Sequence, residues 1–162
     1  MSRLDSVIRR LRAQQACLER AAALIRGLPG PVFELGLGNG RTYDHLCQLC
    51  PEREIFVFDR QVAAGADRVP DAEHLFLGDI HETLTAAAAR FGRSVVLIHS
   101  DIGTGNAEGN ARIAGFLSGQ VPAFLCPGGI VVSDQDLAYQ GAQALPLPAG
   151  VPPGRYFMYQ AQ

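Results

Sequence analysis

A chain of 162 residues, 48% hydrophobic and 19% charged, can form one well-packed core but is too short for a nucleotide-binding domain plus a separate substrate domain. Its formal net charge of −2 supplies no positive field for gripping phosphate backbones, which sets nucleic acid aside as a partner. The start Met1-Ser2-Arg3-Leu4-Asp5 lacks an apolar signal core and no apolar run is long enough to span a bilayer, so the expected location is cytoplasmic, without a membrane partner.

Leu4, Ile8, Leu11, Leu18, Ala22 and Ile25 recur at helical spacing with arginines between them, which predicts an amphipathic helix over about 3–26, ended by Gly27 and Pro29. Apolar and helical segments then alternate: strand 31–36, helix 41–50, strand 54–59, a short helix near 61–68, strand 74–78, helix 80–91, strand 94–99, helix 106–119 and strand 129–134. Such a succession predicts a three-layer, doubly wound α/β sheet, mostly parallel. Ile55–Phe58 and Val95–Ile98 are continuously apolar, as strands covered on both faces require. Pro146, Pro148, Pro152 and Pro153 exclude a long helix before a last strand-like segment at 155–160, so the C-terminal region is abbreviated. The expected organisation is one domain over 1–162: an N-terminal helix (1–28), a ligand-binding core (31–134) and a shortened C-terminal segment (135–162).

Within this frame, Val32-Phe33-Glu34-Leu35-Gly36-Leu37-Gly38-Asn39-Gly40 passes from an apolar strand through an acid into alternating glycines. A chain of this kind ends a buried strand abruptly and turns its bare backbone against a small ligand, ahead of a helix N-terminus. In an open α/β sheet, ligands bind beyond the carboxyl ends of the strands, and those positions are polar here: Asp59, Gly78-Asp79-Ile80, His99-Ser100-Asp101 and Ser133-Asp134-Gln135. An acid at the end of the second strand, Asp59, can accept both hydroxyls of a ribose. A dinucleotide fingerprint would need a glycine at 41, where Arg41 stands, so the pattern is Glu-x-Gly-x-Gly-x-Gly.

With these residues in order, the chain resembles the class I S-adenosylmethionine-dependent methyltransferases from Val32 to Asp134. The resemblance rests on Glu34 to Gly40, Phe58-Asp59, Gly78-Asp79-Ile80 and Leu125-Cys126-Pro127-Gly128-Gly129-Ile130. In its short length and N-terminal helix it is similar to a small bacterial single-domain group of S-adenosylmethionine methyltransferases. The resemblance implies a Rossmann-like fold and S-adenosyl-L-methionine as cofactor. It places Gly36, Gly38 and Gly40 beneath the methionine moiety, Glu34 at its amino end, Asp59 on the ribose, and Asp79 with Ile80 beside the adenine. Asn39, Arg60 and Ser100, next to those positions, complete the implied cofactor set.

Methyl transfer from a sulfonium needs aligned reactants more than it needs catalytic side chains, and a base only where the acceptor arrives protonated. The candidates are His99, Asp101 and Asp134, although a hydrogen-bonded structural histidine at a strand end is an equally ordinary role for His99. The cation-dependent catechol and caffeoyl-coenzyme A O-methyltransferases hold a metal with acids at similar positions, which would make Asp101, Asp134 and Gln135 a magnesium site; Gln135 departs from the usual asparagine there. The sequence after the fourth strand is not the Asn-Pro-Pro-Tyr type used on bases and glutamine. The expected reaction is methyl transfer to a hydroxyl, amine or thiol of a small molecule. The rival is a cofactor-binding module, a sensor or non-catalytic partner, which the abbreviated C-terminal region would suit. Cys17, Cys47, Cys50 and Cys126 are read as packing residues despite the Cys47–Cys50 spacing. The apolar seam of the first helix calls for a partner, and a homodimer is one arrangement that supplies it.

Overall fold

The computed structural model describes residues 2–162. Helix α1 (Arg3–Leu24) starts at a capping box: Ser2 Oγ accepts the Asp5 N–H at 3.0 Å, and the Asp5 carboxylate accepts the Ser2 N–H at 3.0 Å. Its buried stripe is Ala13, Gln14, Cys17, Leu18 and Ala21. Leu18 and Ile25 of the expected seam are buried against the sheet, while Leu4, Val7 and Ile8 at the helix start remain exposed, so the seam is open only over its first turns. Among the described residues no helix is long and apolar enough to cross a membrane.

The strands are β1 (Val32–Leu35), β2 (Ile55–Asp59), β3 (Leu75–Leu77), β4 (Val95–Ser100), β5 (Leu125–Ser133), β6 (Ala142–Ala144) and β7 (Phe157–Ala161), in one sheet of order β3-β2-β1-β4-β5-β7-β6. Pairings from β3 through β5 are parallel, and β7 runs antiparallel to both β5 and β6. The chain builds outward from β1 to β3 and then returns to lay β4 on the other side of β1. Strand order therefore reverses between β1 and β4.

Helix α1 and helix α2 (Arg41–Leu49) cover one face, packing Leu18, Ile25 and Leu46 on Val32, Ile55 and Val96. Helices α3 (Ile80–Phe91) and α4 (Ala107–Phe124) cover the other, where Leu84, Leu117 and Val121 meet Phe33, Phe56 and Val131. Phe33 centres an aromatic cluster, with ring centroids 4.9 Å from Phe58, 4.9 Å from Phe91 and 5.3 Å from Phe124. Both faces of the central strands are thus sealed, which is why β1 and β4 are buried along their whole length.

Three elements differ from expectation. The short helix near 61–68 is one turn of 3-10 helix, Ala66–Arg68, because Gly65 and Pro70 bracket too few residues for an α-helix. Helix α4 continues past Gly119 and through Pro122 as far as Phe124; burial of Val121 and Phe124 outweighs the hydrogen bond that Pro122 cannot donate. Strand β6, three residues after the left-handed Gly141, was not expected at all and extends the abbreviated C-terminal region to a seventh strand. The four cysteines are free, and burial pushes the Cys17 thiol up to about 11.

Arg53 fastens the end of α1 to the sheet. Its Nη1 donates to the Gly30 carbonyl at 2.8 Å, and Nη2 donates to the carbonyls of Ile25 at 2.9 Å and Leu28 at 2.7 Å. Hydrogen bonds from a charged donor contribute more than neutral ones. Arg53→Ala is expected to lower the unfolding free energy by about 2 kcal/mol, with Arg53→Lys recovering only part because it lacks the planar fork. Urea denaturation of the three proteins checks this, and an unchanged midpoint in the alanine variant would refute it.

Candidate active site

Where β1 ends, at the reversal of strand order, the backbone turns through Gly36, Gly38 and Gly40, with φ of 94°, 52° and 79°. The glycines are required for different reasons. A Cβ on Gly36 would lie 2.5 Å from Ile102 Cγ2, so that position is closed by the protein's own packing. A Cβ on Gly38 would meet nothing within 4 Å and would project into open space. Asp59, at the end of β2, braces this turn: its Oδ2 accepts the Leu37 N–H at 2.7 Å and the Gly38 N–H at 3.2 Å, while Oδ1 accepts the Gln61 N–H at 3.3 Å.

The turn separates two hollows. The larger, about 660 Å³, is lined by Gly38, Asp59, Ile80, Asp101, Ile102 and Ile113, among others. The smaller, about 200 Å³, shares Gly36, Gly38 and Asp101 with it and adds Arg10, Gln14, Asn39 and Arg41. A hollow of the larger size suits a nucleoside-sized ligand. Of the expected cofactor residues, Gly36, Gly38, Asp59, Arg60 and Ile80 line the larger hollow and Asn39 the smaller. Gly40 caps α2 instead, and Asp79 caps α3, accepting the His81 N–H at 2.9 Å. That bond, then the His81 ring, hold the Asp79 carboxyl below its ordinary range, and Arg60 lies 3.6 Å away. Ser100 lies inside the sheet, fully buried, its Oγ without a hydrogen-bond partner.

Glu34 and His99 stand opposite each other on β1 and β4 and are both wholly buried. The Glu34 Oε2 to His99 Nδ1 distance is 2.6 Å, Thr42 donates its hydroxyl to Glu34 Oε1, and His99 Nε2 lies 3.4 Å from Tyr156 Oη. Burial alone would lower the His99 pKa, but the Glu34 carboxylate and its hydrogen bond outweigh it and the net shift is upward. The imidazolium form uses both N–H groups in these contacts. Of the two roles expected for His99, its side chain does not take that of a base facing the cleft; it is a wholly buried, hydrogen-bonded histidine at the strand end, and like Glu34 it lines neither hollow.

Asp101 faces both hollows and accepts a hydrogen bond from the Gln14 amide of α1. Asp134, at the end of β5, accepts from the Gly103 N–H at 3.1 Å and from Gln135 Nε2 at 3.2 Å, leaving a buried Oδ1 without a partner. Burial first, and then the charge of Asp101, push the Asp134 carboxyl up. The magnesium expectation finds no support. Among the described residues no three or more His, Cys, Asp or Glu side chains group to hold a metal ion, and Gln135 turns its amide nitrogen, not its oxygen, to Asp134.

Arg10, Gln14, Ile102 and Tyr156 belong to this site but were not foreseen. Gln14 alone carried a signal, as a polar residue in the otherwise apolar stripe of α1.

A family model described as S-adenosyl-L-methionine methyltransferase matches residues 1–161. The chain belongs to that family. A solved S-adenosyl-L-methionine methyl transferase from Silicibacter pomeroyi DSS-3 is 48% identical, superposes with a TM-score of 0.95, and is matched over 100% of this chain and 99% of its own. The N-methyltransferase NodS from Bradyrhizobium japonicum WM9 has a TM-score of 0.58 at 15% identity, covering 94% of this chain and 96% of that one. TrmN from Thermus thermophilus has a TM-score of 0.54 at 21% identity, covering 88% and 48%. These two share the fold. No curated protein sequence matches the chain. The protein is thus an S-adenosylmethionine-dependent methyltransferase with a seven-stranded Rossmann-like sheet.

Because the native pKa of His99 is raised above its ordinary 6.5, the pair's contribution to stability is complete below that value and is lost as pH rises through the native one. Glu34→Gln removes the counter-charge, burial then dominates, and the slope of stability with pH is expected to change sign across this window. His99→Leu, which leaves a buried carboxylate without its cation, is expected to cost about 3–5 kcal/mol. Urea unfolding at several pH values measures both; parallel pH profiles for wild type and Glu34→Gln would rule the ion pair out.

Proposed function

We propose that this methyltransferase acts on a hydroxyl, amine or thiol of a small molecule, with its donor lying across the Gly36–Gly40 turn. One observation carries the placement: besides the left-handed φ that favours glycine there, a side chain on Gly38 would meet no protein atom within 4 Å and would stand in the cleft, where an entering ligand would meet it. S-adenosylmethionine supplies an activated methyl group on sulfur, and the residues here position and screen it. The main chain at Gly36 and Gly38 passes beneath the methionine portion. Asp59, already holding two N–H groups of the turn, keeps lone pairs free for the ribose hydroxyls. Ile80, Ile102 and Ile113 give the larger hollow apolar walls suited to an adenine, with Asp79 and Arg60 at its edge.

Asp101 belongs to both hollows and so flanks the point where nucleoside and methionine portions join, which is where the methyl group would be transferred. Asp134 lines neither hollow; burial, and then the charge of Asp101, raise its affinity for a proton, and Asp101 is the acid that meets an acceptor directly. His99 and Glu34 act through position, fixing the strand ends from which these groups project. A small acceptor is favoured because the chain's net charge of −2 and the acids Asp59 and Asp101 in the cleft lining offer a phosphate backbone no attraction.

Calorimetric titration with S-adenosylmethionine and its demethylated product, followed by a search for product release across small-molecule and RNA panels, tests the proposal. Gly38→Val should lower donor affinity at least about a hundredfold, while its left-handed φ costs the fold only about 1–2 kcal/mol. Asp59→Ala should weaken the donor about tenfold or more through loss of both ribose and turn. Near-native affinity in Gly38→Val would move the site elsewhere, and turnover confined to the RNA panel would overturn the acceptor class.

A further inference from the structure

The smaller hollow has a charge pattern of its own. Arg10 reaches it from α1 and Arg41 from the first turn of α2, and among the described residues neither guanidinium has a carboxylate partner. With its amide oriented to accept, Asn39 holds Arg41 through contacts of 3.1 Å from both Nη1 and Nη2. Asp101 and Gln14 lie in the same lining, joined by their hydrogen bond. Two cations and a carboxylate thus share about 200 Å³ that adjoins the larger hollow, with Gly36, Gly38 and Asp101 common to both linings.

A zwitterion with a carboxylate and an ammonium on one carbon is the chemistry that satisfies such a pattern. We infer that Arg10 and Arg41 clamp the α-carboxylate of the donor's amino-acid end, with Asp101 accepting from its ammonium, so that α1 is a specificity element of the donor site. This rests on the donor placement proposed above. Helix α1 is held in place for the task from two sides: Gln14 bonds to Asp101, and Arg155, next to β7, donates to the Ser6 carbonyl at 3.3 Å. The clamp selects donors that retain the carboxylate against otherwise identical sulfonium nucleosides that have lost it.

Calorimetry on the full chain with three probes separates the possibilities: the demethylated donor product, its decarboxylated analogue, and 5′-methylthioadenosine, which lacks the amino-acid end altogether. Wild type should bind the first about tenfold or more tightly than the second, the order expected of a charge-assisted pair. Arg10→Met, which keeps the apolar stem, should erase most of that difference and leave affinity for the other two probes within about twofold; Arg10→Lys should restore part of it. Arg41→Met should act in the same direction. Equal affinity of wild type for the carboxylated and decarboxylated probes, or equal weakening of all three probes by Arg10→Met, overturns the clamp. Failure of all three to bind wild type would instead remove the donor placement on which it rests.

Discussion

The fold is organised around an ion pair that has no access to water. Removing a carboxylate and an imidazolium from solvent costs several kcal/mol each, and their mutual attraction returns this only when geometry is good and the remaining valences are filled. Glu34 and His99 meet that condition, with Thr42 on the acid and Tyr156 on the base. The consequence is a matter of register more than of net stability. Sliding β1 past β4 by one residue would leave a charge opposite an apolar side chain, so the two strands on either side of the order reversal can pair in one way only. Every group in the cleft is counted from that register: the glycine turn begins two residues after Glu34, and Asp101 follows two residues after His99.

A second constraint is built on the first. The glycine turn would be a loose loop if only Gly36 and Gly38 determined it, because glycine loses more conformational freedom on ordering than any other residue. Asp59 offsets this by accepting two consecutive N–H groups, Leu37 and Gly38, from the adjacent strand end. Ile102 closes the turn from the β4 side, occupying the place a side chain on Gly36 would need. The turn is therefore shaped before any ligand arrives, and it is shaped by residues that also form the cleft wall. Preorganisation of this kind removes an ordering cost from binding.

How much of this was legible in the sequence depended on whether a residue's environment is local. The alternation of apolar runs and helices fixed the layers and the parallel core, and alternate glycines after an apolar strand marked the turn, since both are properties of neighbours along the chain. Strand β6 was invisible because three residues, Ala142 to Ala144, have no periodicity to read; they are strand only because β7 lies beside them. The expected end of α4 at 119 fell short of Phe124, because burial of Val121 and Phe124 carries the helix through Pro122. His99 showed the same limit in the site. Its place at a strand end was readable, but the direction of its side chain depends on Glu34, 65 positions away in sequence. Arg10 could not be foreseen at all, since nothing near it in the chain distinguishes it from the other arginines of α1.

The first helix and the segment before the last strand both contribute to the site. Tyr156 comes from the C-terminal segment and fills the last valence of the ion pair, and its neighbour Arg155 grips the start of α1. Gln14 of α1 in turn reaches Asp101 across the cleft. Helix α1 and the segment leading into β7 therefore converge on the ends of β1 and β4. On the proposed reading this has a cost in acceptor range. With α1 over the methionine side and the loop of Ile102 to Asn106 over the nucleoside side, approach to the reacting carbon is left beside Asp101, which the charge of Asp134 repels. An acceptor that brings a proton to Asp101, as a hydroxyl, thiol or ammonium does, relieves the repulsion by sharing it, whereas a further anion would deepen it.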